Sequence, residues 1–158
     1  MAARSVHSVV ASTLLILTCL VLGLLAGAMP VIGVSLVSFW KSLSPSDFQA
    51  WFASYARLIG RLMIPLGVGG IALTVATVVA CWRGLATVRR WLLIAAVSAM
   101  GVMVTYPLFF SAANEAFARG GLSDAAARSL LDRWATCHWI RTGLGALGFV
   151  AALRALHG

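Results

Sequence analysis

The stretch Leu131–Leu156, LDRWATCHWIRTGLGALGFVAALRAL, decides how many helices this chain sends across a membrane. Its uncharged part, Thr142 to Leu153, is shorter than the roughly 20 residues a spanning helix needs, so it spans only if Arg141 is taken to membrane depth. An arginine two turns inside an apolar helix costs roughly 2.5–3.5 kcal/mol on insertion scales if it meets lipid. It must therefore face the bundle, wet or paired. Trp134, His138 and Arg141 stand at i, i+4 and i+7 within one arc, and Gly145, Gly148 and Ala152 continue it. The segment reads as a spanning helix with a polar face turned inward.

Three more spans lie upstream. No charged residue appears between Arg4 and Lys41, between Arg61 and Arg83, or between Arg90 and Glu115. The reading is one all-α transmembrane domain, residues 1–158, a four-helix bundle with spans at about 9–39, 61–82, 91–114 and 131–156. The whole composition agrees: of 158 residues, 61% are hydrophobic and 10% charged, too apolar for a soluble domain of this size. The net charge of +8 is scattered between apolar runs, with no stripe that could track phosphates, so nucleic acid is not an expected partner. Cys19, Cys81 and Cys137 sit in apolar segments without C-x-x-C or Cys/His spacing and are read as packing residues.

Local signals mark the helix ends. Ser44-Pro45-Ser46-Asp47 reads as an N-cap, a proline at the first helical position and an acid in the first turn. Gly120-Gly121 followed by Ser123-Asp124 reads as a helix stop and a new cap. The second and fourth helices therefore start in water, before their apolar parts. Arg4, the apolar run Leu14–Leu25 and Ala26-Gly27-Ala28 imitate a secretory signal, but Met29 to Trp40 stays apolar, which favours an uncleaved helix. The short arginine-rich turn from Arg83 to Arg90 holds no acid and favours both termini on the cytoplasmic side of a bacterial inner membrane. Gly23 and Gly27, and Gly67, Gly70, Thr74 and Thr77, are small-residue seams for helix contact. Trp40, Trp51, Trp82 and Trp91 fall at span ends and read as interfacial belt residues. A homo-oligomer is left open.

Chemistry is concentrated toward the two links Lys41–Arg61 and Glu115–Arg133. Pro30, Pro65 and Pro107 all fall in that half of their helices, where each frees a carbonyl that protein or water must satisfy; a cavity there is expected. His138 can exchange a proton near neutral pH, Arg141 can stabilise a phenolate or enolate, Trp134 offers a flat wall, and Asn114 both donates and accepts. Glu115 is the acid expected to pair with Arg141. Tyr106 lies beside Pro107 and could line the pocket or fill the core, and Arg61, with Arg57, would add positive field at the mouth or serve as a solvated anchor. The set suits a planar, acidic, hydrophobic aromatic molecule. The plainer reading, a snorkelling Arg141 with a satisfied interior histidine, stays open. A metal site built on His138 would be under-ligated, haem would need a second buried histidine, and no phosphate or dinucleotide motif is present.

The helix order, Ser111-Ala112-Ala113-Asn114 at the end of the third helix and Trp134-x-x-x-His138-x-x-Arg141 opening the fourth resemble the anthrone-oxygenase-like family of small integral membrane proteins. Many members carry a second Asn and a Pro shortly before the asparagine, where this chain has Phe110 and Ala112. The resemblance implies oxidation of an anthrone to an anthraquinone with O2, with no metal or flavin cofactor, in aromatic polyketide chemistry. The residues themselves fit that chemistry with His138, Arg141 and Asn114 as the catalytic group and Trp134, Tyr106, Arg61 and Glu115 around the substrate. The rival is a non-enzymatic membrane protein that binds a lipid or quinone, or an assembly partner.

Overall fold

A computed structural model describes the backbone of residues 2–158 and the side chains of residues 9–158. The side chains of Arg4, which enters the secretory-signal reading, and of His7 lie outside these. Four long helical rods follow one another. The first is α1 (Ala2–Val31), which passes through a π-helical turn (Ile32–Leu36) into α2 (Val37–Ser42). The second is α3 (Pro45–Ala80). The third runs from α4 (Ala86–Thr105) through a π turn (Tyr106–Phe110) into α5 (Ser111–Arg119), and the fourth is α6 (Asp124–His157). All four are long and apolar enough to cross a membrane, and the chain is an integral membrane protein. The last residue packs near Thr87 and Val88, so the C-terminus and the α3–α4 turn share one end of the bundle, here the terminal end. The α2–α3 and α5–α6 links share the other, the link end.

The links are short because the helices run past the apolar spans. Ser44 Oγ accepts the Asp47 N–H at 3.1 Å, and Ser123 Oγ accepts from Ala126 N at 3.4 Å, so both predicted caps form. Gly120 and Gly121 turn the chain at φ +73° and +79°, a region that a side chain would strain. Gln49, buried beneath the link end, holds the links together: its Nε2 donates to Leu122 O at 3.2 Å and its Oε1 accepts from Leu122 N at 3.0 Å. Lys41 and Asp132 add a 2.6 Å ion pair between α2 and α6.

Small residues let the rods approach. A Cβ on Gly145 would come within 3.1 Å of Met29 Sδ, and one on Gly148 within 3.3 Å of Ser98 Cβ, so the glycine face of α6 is pressed on α1 and α4. Gly23 meets Phe149 in the same way, whereas Gly27 faces open space, so only half of that G-x-x-x-G pair is a seam. Thr77 donates to Leu73 O at 2.7 Å, which leaves its oxygen to accept from Thr18 at 2.8 Å across the α1–α3 contact.

Toward the link end the core is aromatic. Trp40, Phe48, Phe52, Phe110, Phe117 and Trp134 form one cluster. Trp40 is 1% exposed, so it is a core residue and not the belt residue its position suggests. The cause is that α2 extends past the apolar span while α3 and α6 start early, so the depth of Trp40 is still bundle interior.

Candidate functional site

The site is built on α6 around its inward face. His138 is 2% exposed, and its Nε2 lies 2.8 Å from the Met29 carbonyl of α1. A carbonyl only accepts, so Nε2 carries the hydrogen and donates; in the neutral ring Nδ1 is then the basic nitrogen. Nδ1 is buried without a partner. The imidazole stacks on Trp134, one turn toward the link end, with centroids 5.0 Å apart and planes 11° from parallel. Trp134 Nε1 in turn donates to Asn114 Oδ1 at 2.9 Å, which ties α6 to α5. That bond commits the Asn114 carbonyl and leaves its NH2 group as the donor it can offer.

Arg141 lies three positions beyond His138. Its guanidinium stands 4.5 Å from the centroid of the Phe110 ring, and Phe110 meets Trp134 edge-on at 5.2 Å. Arg141 Nε is buried and unpartnered. A cation on an aromatic face is stabilised by about 0.5–2 kcal/mol, which softens the burial of the charge but supplies no hydrogen-bond acceptor. The expected pairing with Glu115 does not form. Glu115 is exposed and bonds Arg119 one turn along its own helix, at 2.6 Å, because the side of α5 that carries it faces away from α6. The two ion pairs among the described residues both leave Arg141 out.

The remaining candidates fall outside this cluster. Arg61 and Arg57 are exposed on α3, away from the His138 cluster. Tyr106 is 38% exposed at the start of the π turn. Two of the three prolines adjoin π turns, Pro30 just before Ile32–Leu36 and Pro107 within Tyr106–Phe110, while Pro65 sits exposed in an unbroken helix. The carbonyl that Pro107 cannot bond, Met103 O, is taken by the Tyr106 N–H. So the carbonyl freed by Pro107 is met by backbone, and most of the half-bundle expected to hold an open cavity is packed with rings. A cavity of about 130 Å³ does open at the link end, lined by Trp40, Phe48, Leu131 and the Lys41–Asp132 pair, but His138 is not on its wall.

Two contributors were not placed in the site by their sequence: the Met29 carbonyl is a main-chain atom, and Phe110 stands out only as a departure from the family pattern. Among the described residues no three His, Cys, Asp or Glu side chains stand close enough to hold a metal ion. No curated protein and no solved structure matches the chain. The family model described as anthrone oxygenase matches residues 48–151, from the first turn of α3 into the last turns of α6, so Asn114, Trp134, His138 and Arg141 all lie inside the match. By that match over most of its length, the chain belongs to the anthrone oxygenase family.

Proposed function

We propose that the protein is a membrane-embedded oxygenase that acts, without a cofactor, on an anthrone-like or phenolic aromatic molecule with O2. One observation carries the reading: a proton acceptor, His138 Nδ1, and a cationic donor, Arg141 Nε, are buried without partners on one face of α6. Each such group costs about 1–3 kcal/mol while unpaired, so the pair favours an occupant with an acidic hydrogen and an oxygen that becomes negative. Phe110 indicates the shape, because a flat ring already lies on the Arg141 guanidinium and against Trp134. The substrate takes that position when Phe110 swings aside.

The chemistry follows from those groups. His138 Nδ1 removes a proton from the methylene carbon that lies across the central ring from the carbonyl carbon. The electron pair passes to the carbonyl oxygen, and Arg141 with the Asn114 NH2 stabilises this extended oxyanion. The carbanion form reduces O2, a C–O bond forms at the former methylene carbon, and loss of water from the hydroperoxide leaves the quinone. One anthrone and one O2 give one quinone and one water. The groups in contact with the His138 ring are the Trp134 indole and the Met29 carbonyl, a set that no transition metal favours.

The test is purified protein in detergent with an anthrone under air, followed by quinone absorbance and oxygen uptake, with and without chelator. Turnover should survive the chelator and fall by about 10² to 10⁴ in His138→Ala. Chelator-sensitive turnover, or an unchanged rate in His138→Ala, overturns the mechanism. The 2% exposure of His138 favours a second reading, a non-enzymatic protein whose polar cluster sets helix packing or holds a quinone. Absence of turnover on several anthrones and phenols, with quinone binding retained, selects that reading.

A further inference from the structure

A groove runs down the lipid-facing side of the α4–α6 contact in the terminal half of the bundle. Leu93, Val97, Leu144 and Leu147 line it, and Arg89 and Arg90 stand at its outer end. Val97 is 72% exposed, so the wall is open to the acyl region. Both arginines are held at interfacial depth. Arg89 donates to Trp82 O at 3.0 Å and lies 5.4 Å from the Trp82 ring, and Arg90 lies 5.6 Å from the Trp91 ring. Neither has a carboxylate partner, and the first turn of α4 contains no acid.

From these features we infer that the groove is a binding site for one anionic phospholipid, with its phosphate on Arg89 and Arg90 and an acyl chain along Leu93, Val97 and Leu147. Length supports the fit. From Ala86 to Val97 the helix rises about 16 Å, close to half of a hydrocarbon core roughly 30 Å thick, which is the reach of a chain in one leaflet. Charge supports it too, since two unpaired guanidiniums at the mouth of an apolar slot complement a phosphate on a lipid tail. The site is separate from His138 and does not depend on the proposed reaction.

The experiment is native mass spectrometry of the full chain in neutral detergent, titrated with phosphatidylglycerol or with phosphatidylcholine of the same acyl chains. The parent should retain one phosphatidylglycerol in preference to phosphatidylcholine. At roughly tenfold or less per arginine, Arg89→Gln with Arg90→Gln should weaken that binding about 30-fold. Arg57→Gln with Arg61→Gln, a pair one turn apart and exposed on α3, should leave it unchanged. Val97→Trp, which fills the slot without touching charge, should remove the retained lipid; Leu147→Trp serves if that variant does not fold. Equal retention of both lipids by the parent overturns the inference. So does equal loss in the α3 pair, or full retention with the slot filled. A Val97→Trp variant that dissociates a dimer but keeps its lipid would instead assign the groove to a second copy of the chain.

Discussion

Arg141 is where the proposed reaction is most exposed to test. The guanidinium carbon sits 4.5 Å from the centroid of the Phe110 ring and the buried Nε–H has no partner, a combination that an ammonium does not reproduce. Arg141→Leu should therefore leave the protein inserted, because it removes a buried charge, while turnover falls by about 10² to 10³. Arg141→Lys should recover little of it. Activity equal to the parent in Arg141→Leu would reduce the residue to a membrane anchor. The imidazole makes a separate spectroscopic prediction. With Nε2 donating to Met29, nitrogen NMR of labelled His138 should show a protonated Nε2 and a bare Nδ1, and the opposite tautomer would remove the base from the substrate side. Trp134→Phe keeps the stacked ring but deletes the bond to Asn114; a loss of about 1 kcal/mol in stability and a raised KM are expected from freeing the amide.

Helices and their junctions divide into what the sequence announces and what it conceals. Ser44-Pro45, Gly120-Gly121 and Ser123-Asp124 announce helix ends because capping acts within four residues, and the caps form where those residues stand. The inward arc of α6 was legible for the same reason, since its period is local. The π turns were not, for a proline predicts an unpaired carbonyl but not whether the helix widens to accommodate it, and Pro65 leaves α3 unbroken while Pro30 and Pro107 adjoin wider turns. Pairings between distant segments were also hidden: Glu115 pairs with Arg119 and not with Arg141, and Gln49 binds the backbone of Leu122. That last contact predicts its own test. Gln49→Leu leaves the Leu122 N–H and carbonyl unmet beneath the link end and should cost about 1–3 kcal/mol, measured as a lowered thermal midpoint in detergent. An unchanged midpoint would mean that water replaces the glutamine.

Across the bilayer the bundle is asymmetric. Its link end carries the aromatic cluster, the ion pairs and all four acids, and its terminal end carries the acid-free arginine turn from Arg83 to Arg90. The bias of short, basic, juxtamembrane segments toward the cytoplasm predicts both termini inside. Reporter fusions after Gly158 and within Gly120–Ser123 should report cytoplasmic and external locations respectively, and the reverse pattern would invert the orientation. The cytoplasmic leaflet is also where anionic lipids give Arg89 and Arg90 the strongest field. The family match begins after α2, yet α1 supplies the carbonyl that orients His138. Every amino acid carries that atom, so exchanging Met29 for another helix former of similar size keeps it, and what constrains the residue is the space its fully buried side chain fills beside Gly145. Register is a different matter. Deleting one residue between Leu22 and Met29 would swing the carbonyl about 100° around the helix axis, and the histidine would lose its anchor although no side chain near it had changed.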